Sequence, residues 1–391
     1  MSAAIIITLC VLLLLAYLFD ISSSRTKVPS VILLLLLGWG VREVTSFLQI
    51  SIPNLNPILP ILGTVGLILI VLEGSLELEV NKSKTKLIAK SFFMSIVPMF
   101  LLAFALAFVF HLSGDISLRR GLINAVPLTI ISSAIAIPSV KSFVSRDREF
   151  VTYETSLSDI IGVIFFNFLT LNDNIGTLSF GYFLIDIVTI VVISIVSTIL
   201  LIFLLGKIKH HVKFIPIIVL IILIYSISKI IHLPALILIL VFGLFLGNLN
   251  SFEKNRFIHR LQPEVLEREI VKFKELTSEV AFLIRALFFL LFGYLIETSE
   301  LLNLSTLGWS LLITFGIFFI RAIFLRMISL PLQPFLFIAP RGLITILLFL
   351  SIPVEQFYPL VSRSMIIQVI ILTSLLMMVG TIKSCKKASL E

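Results

Sequence analysis

Thirteen apolar runs, separated by short polar breaks, follow one another along this chain. Each is long enough to cross the roughly 30 Å of hydrocarbon in a bilayer. They occupy residues 3–19, 28–47, 57–76, 87–112, 121–140, 152–171, 180–205, 214–231, 233–249, 280–295, 307–328, 335–352 and 365–382. Apolar residues fill 59% of 391 positions and charged ones 13%, about half the charged share of a soluble protein. A soluble fold cannot cover that much apolar surface, whereas lipid solvates it. The pattern predicts an all-α polytopic membrane protein with about 13 transmembrane helices.

The first run has no basic residues before it and is followed by Arg25 and Lys27. It therefore reads as a retained helix with its N-terminus outside, not as a cleaved signal peptide. In that orientation about 22 of the 30 basic residues fall in cytoplasmic loops and about five outside, as the positive-inside rule requires. The same distribution accounts for the formal charge of +8 without a nucleic-acid partner. Cys10 and Cys385 lie near opposite ends and have neither disulfide nor metal spacing. The one sizeable polar stretch is residues 250–279. Within it, residues 263–273 read equally as a short helix on the inner membrane surface or as a solvated linker.

Two runs are poorly suited to continuous helix. The fifth carries Pro127 and Pro138 around Ser132-Ser133-Ala134-Ile135-Ala136, and the twelfth carries Gln333-Pro334 and Ala339-Pro340-Arg341-Gly342. Proline removes a backbone donor and glycine loosens the helix, and freed main-chain groups at membrane depth are tolerated only inside protein or beside a cavity. Runs four to six and eleven to thirteen are seven crossings apart, an odd offset that gives the two units opposite orientations. Broken helices at matching places in an inverted repeat point to a transporter binding site. Between the breaks in sequence lies Asp159, in the middle of the sixth run. A carboxylate at the bilayer centre costs about 2.5–3.5 kcal/mol on insertion scales, and its usual use is to bind and release a proton or a cation.

The chain resembles the monovalent cation:proton antiporters of the sodium/proton exchanger superfamily over nearly all its membrane length. The resemblance rests on Leu72-Glu73-Gly74-Ser75-Leu76 closing the third run, Glu154-Thr155-Ser156-Leu157-Ser158-Asp159 in the sixth, Ile320-Arg321-Ala322 in the eleventh and Pro340-Arg341-Gly342 in the twelfth. It implies that Asp159 binds a monovalent cation or a proton, which compete because each neutralises it. Thr155, one turn earlier on the same face, offers a hydroxyl oxygen, and Ser158, Ser132 and Ser133 complete the expected ion and proton site. Glu154 is expected to pair with Arg321, and Glu73 with Arg341 as a second candidate pair, all four in structural support. Which acid meets which base stays open at this point.

The departures bear on the ion. Where many exchangers carry Thr-Asp-Pro on the fifth helix, this chain has Ala134-Ile135-Ala136, and Ser158 stands where the family has Asn or Asp. Asp159 is left as the only obvious titrating group at the crossover, which predicts one proton per cation and an electroneutral cycle. Na⁺ is the expected cation, with K⁺ or Li⁺ as alternatives; the Ser-Ser pattern is closer to the potassium-efflux branch. A transport-inactive membrane sensor is the alternative from another class. No cofactor and no enzyme activity are expected.

The resemblance further implies panel helices 1–3 (residues 1–86), a core repeat of helices 4–6 (87–171), a linking helix 7 (172–213) and panel helices 8–10 (214–300). A second core repeat of helices 11–13 (301–382) and a short cytoplasmic tail (383–391) follow, in a homodimer in the cell membrane. Lesser polar residues are Asn167, Asp186, His232 at an outer loop, and Arg285, which is expected to snorkel from the inner end of the tenth helix.

Overall fold

The computed structural model describes the chain apart from residues 1, 27, 51–54, 79, 81, 141–142, 174–175, 208–213, 232, 234, 250–262 and 389–391. Among the described residues there is no strand. The helices are α1 (Ser2–Thr26), α2 (Ser30–Phe47), α3 (Ile58–Glu77), α4 (Thr85–Gly114), α5 (Leu118–Thr129), α6 (Ser133–Ser139), α7 (Ser145–Leu171) and α8 (Thr177–Lys207). They continue as α9 (Phe214–Ile230), α10 (Leu236–Gly247), α11 (Pro263–Leu295), α12 (Thr298–Leu301), α13 (Leu304–Met327), α14 (Leu343–Leu350) and α15 (Arg363–Ala388). Nine spans among the described residues are long and apolar enough to cross a membrane, and three shorter apolar helices accompany them. The remaining run, 335–352, is helical only as a 3₁₀ turn at Phe335–Phe337 and as α14. Pro334, Pro340 and Gly342 explain why its first half cannot hold a helical ladder.

Two predicted boundaries are corrected. Residues 263–273 form neither a surface helix nor a linker; they are the first turns of α11, which runs unbroken to Leu295. No proline or glycine occurs from 264 to 292, so nothing stops the helix where the hydropathy changes. Ile270 and Phe273 are buried on that extension. Arg285 is correspondingly well inside α11 and buried, not snorkelling from its end. The last helix likewise passes residue 382 and is helical through Ala388. Hydropathy marks where lipid ends, while the helical ladder ends only where a cap or a breaker stops it.

The chain forms two compact units. The first comprises Met1–Thr64, Lys90–Gly162 and Leu283–Glu391. In it α13 and α15 are tied by Gln368, whose Oε1 accepts from Thr306 Oγ1 (3.0 Å) and Ser310 Oγ (2.8 Å) and whose Nε2 donates to Asn303 O (2.9 Å). Asn124 of α5 donates to Gln356 O at 2.8 Å and accepts from Tyr358 N at 3.0 Å, anchoring the loop after α14. In the second unit, Val65–Ala89 and Val163–Phe282, α10 packs along α8. Asn248 donates to Leu78 O at 2.7 Å, and Phe273 meets Phe214 and Phe242.

The crossing of α2 and α11 in the first unit is set by reciprocal glycines. A Cβ on Gly38 would sit 2.8 Å from Tyr294 N, and one on Gly293 would sit 2.9 Å from Leu35 Cα. Main chain cannot yield as a flexible side chain can, so these helices pack only because both positions lack a side chain. Gly38→Val should therefore destabilise the protein by about 1–3 kcal/mol, read as a fall of several degrees in the Tm of the purified protein. Gly40→Val, with nothing within 4 Å of its Cβ position, should leave Tm unchanged.

Candidate functional site

The two broken runs meet at their breaks. After α5 ends at Thr129, Ile130 and Ser132 are extended (ψ 130° and 112°), and helix resumes at Ser133. The amides this frees find partners inside the protein. Ile131 N donates to Ser158 Oγ at 3.1 Å, and Ser132 N donates to Pro340 O at 2.9 Å, across to the other break. Arg341 N donates to Thr373 Oγ1 at 3.1 Å. The Arg341 side chain repairs both breaks together, since Nε donates to Leu128 O (2.7 Å) and Nη1 to Ala339 O (2.9 Å). Gly342 permits the approach: a Cβ there would lie 2.7 Å from both Ser132 Oγ and Ile135 Cδ1.

Asp159 of α7 points into this crossing and is 1% exposed. Its Oδ2 accepts from Ser133 N at 3.4 Å and from the Ser133 hydroxyl. Its Oδ1 is buried and, among the described residues, takes no hydrogen bond; the same holds for Ser132 Oγ. Buried acceptors without partners are few in folded proteins, and each asks for a reason. Thr155 is fully buried one turn earlier, donating to Val151 O at 2.9 Å and so keeping its oxygen as an acceptor. Of the five predicted site residues, Ser132, Ser133 and Asp159 thus stand together at the break. Ser158 lies there too, with its oxygen engaged by the Ile131 amide.

Beside this lies a buried ion pair. Arg321 of α13 holds Glu154 of α7 with two charge-assisted bonds, Nη1 to Oε1 at 2.6 Å and Nη2 to Oε2 at 2.8 Å, and its Nε donates to Phe335 O at 2.7 Å. Both side chains are sealed, at 3% and 0% exposure. A cavity of about 20 Å³, room for one water, is lined by Arg321, Arg341, Ser158 and Thr129 among others.

The other expected pair takes a different form. The contacts that hold the Arg341 guanidinium are the main-chain carbonyls of Leu128 and Ala339. Glu73, in the other compact unit, accepts from Ser278 Oγ at 2.6 Å. The physical reason is that helix breaks expose carbonyls with nowhere else to turn, and a guanidinium has five N–H donors to offer them. Residue type carries no signal for a main-chain acceptor, so no sequence pattern could have shown this. Thr373, inside an apolar run, could have been flagged. His232 lies outside the described residues.

The fold and this site define a class: a helical membrane protein whose two interrupted helices cross at a buried carboxylate. The family model described as "Sodium/hydrogen exchanger, transmembrane" matches residues 10–384, and the chain belongs to that family. Cation/proton antiport is the activity that goes with this membership. At the level of sequence, no curated protein matches the chain. Two solved structures of the sodium proton antiporter MjNhaP1 from Methanocaldococcus jannaschii share its fold. One, at pH 8, has TM-score 0.66 and 18% identity over 98% of this chain and 96% of that one. The other, from electron microscopy, has TM-score 0.68 and 19% identity over 100% and 97%.

Removing one partner of a buried pair leaves a lone charge, at a cost of about 3–5 kcal/mol. Arg321→Ala should lower stability by about that much, and adding Glu154→Gln should restore part of it. Strict additivity in a double-mutant cycle of unfolding free energies would show that the two side chains are not energetically coupled.

Proposed function

We propose that this protein exchanges a monovalent cation, Na⁺ in the first instance, for H⁺ by alternating access at Asp159. The observation that carries the reading is the pair of buried acceptors without partners among the described residues, Asp159 Oδ1 and Ser132 Oγ, at the point where the two breaks cross. A hard cation is bound by such oxygens, and a proton satisfies the same carboxylate. Ser133, donating to Oδ2, holds the carboxylate in place, and Thr155 has a hydroxyl oxygen to add. Glu154, Arg321 and Arg341 are tied to structure by their own bonds. Of these four ionisable groups around the crossing, Asp159 is therefore the one left to change its ligand.

Charge counting supports an electroneutral cycle. Ionised Glu154 and Asp159 balance Arg321 and Arg341. A proton or a monovalent cation on Asp159 raises the total by the same single charge, so each exchange moves one charge each way. In this reading α4 to α7 and α13 to α15 carry the ion as a moving core, α1 to α3 and α9 to α12 form the panel through which two copies associate, and α8 links the two. The N-terminus faces outward and the C-terminus the cytoplasm, in the cell membrane. Having hydroxyls but no second carboxylate on α6 also suits a larger cation, so K⁺ is the second reading.

Asp159→Asn keeps the shape of the side chain but cannot release a proton. It should abolish cation-dependent proton flux in everted vesicles while the protein stays inserted and folded. Wild-type flux from this variant would remove the basis of the proposal. Running the wild-type assay with Na⁺, Li⁺ and K⁺ in turn distinguishes the two readings of the ion.

Exchange of one charge for one should ignore an imposed membrane potential, which is worth about 2.3 kcal/mol per net charge per 100 mV. Flux in liposomes should therefore be equal at zero and at 100 mV. A marked dependence on potential would mean that a second group titrates in the cycle.

A further inference from the structure

A second cavity lies between the end of α7 and the start of α8, wholly within the second compact unit. Its volume is about 340 Å³, and its walls include Asn167, Phe168 and Asn172 from one side and Tyr182, Phe183 and Asp186 from the other. We propose that this cavity binds a primary alkylammonium group.

The acceptors match that ligand in number. A primary ammonium has three N–H donors and no acceptor. Asn172 spends its Nδ2 on Phe168 O at 2.9 Å, which leaves its Oδ1 as an acceptor. The side chain of Asn167 and the carboxylate of Asp186 make no hydrogen bond or ion pair among the described residues. Two carboxamide oxygens and one carboxylate therefore line one space, with no basic side chain among the described residues of its walls to neutralise Asp186.

Size and wall chemistry select an organic cation over a bare one. A hard metal ion needs a tight shell of oxygens, and a space of this volume walled by three aromatic rings does not supply one. Aromatic faces do attract an organic cation, and Phe168 and Phe183 pack together with centroids 4.8 Å apart to make such a wall.

Depth narrows the source. The apolar run of α8 begins at residue 180, so in the membrane reading Tyr182 stands near its start and Asp186 about one turn further in, at the level where lipid headgroups meet the acyl chains. Tyr182 is 66% exposed, leaving a side of the cavity open at that level. The ammonium can therefore belong to a dissolved alkylamine or to an ethanolamine headgroup.

The test uses the full-length protein, purified in detergent, with calorimetric titration of n-butylammonium and of n-butyltrimethylammonium. The quaternary ion has the same charge and no N–H donor. We expect the primary amine to bind at least about tenfold more tightly. Asp186→Asn should weaken it by at least about tenfold, and Asn167→Leu by about threefold or more. Asp159→Asn should leave the affinity unchanged, which separates this cavity from the ion site of the proposed antiport. Native mass spectrometry from mixed phosphatidylethanolamine and phosphatidylcholine nanodiscs then identifies the source. Selective retention of phosphatidylethanolamine, lost in Asp186→Asn, assigns a headgroup, and amine binding without lipid selectivity assigns a dissolved amine. Equal affinity for the two amines, no binding of either, or an affinity untouched by both Asp186→Asn and Asn167→Leu would overturn the proposal.

Discussion

Backbone polar groups stranded by a helix break have no water to turn to at membrane depth, so protein must satisfy each of them. Two breaks in one bundle double the demand, and here each break meets part of the other's. Ser132 N donates to Pro340 O, while Arg341, on the second break, donates to Leu128 O at the end of α5 and to its neighbour Ala339 O. Ser158 and Thr373, hydroxyls placed on adjoining continuous helices, take up the remaining amides at Ile131 and Arg341. This mutual repair requires the two segments to cross closely, and Gly342 allows it.

Crossing has an electrostatic consequence. The carbonyls freed by the breaks draw in guanidinium groups: Arg341 onto Leu128 and Ala339, Arg321 onto Phe335. Two buried positive charges in one neighbourhood are untenable without counter-charge. Glu154 supplies one through its two bonds to Arg321, and in the proposed cycle the ionised form of Asp159 brings the count of these four groups to zero. The carboxylate on which the proposed transport turns is thereby part of the charge balance of the helices around it.

Much of this was legible in the residues. The apolar runs located the helices, and proline with glycine located both breaks. Asp159, Glu154, Arg321 and Arg341 stood out as charges in hydrophobic surroundings. Three things were less legible, for separate reasons. The start of α11 was misread because hydropathy reports contact with lipid and not helical continuity, so residues 263–273 looked like a separate element. The Arg341 contacts were hidden because their acceptors are main-chain carbonyls, which every residue carries alike. The cavity holding Asn167 and Asp186 was invisible because its two walls come from different helices.

The sequence by itself determined that this chain spans a membrane many times, that two of its helices are interrupted, and that ionisable groups lie among them. Each of these follows from the transfer cost of individual residues and from backbone chemistry that proline and glycine alter locally. Tertiary structure alone decided which acid meets which base, which hydroxyl closes each break, and which acceptors are left over at Asp159 and Ser132. Those outcomes depend on distances between segments far apart in sequence, such as Glu154 and Arg321. Such distances are set by how the crossing helices pack and not by the identity of any one residue.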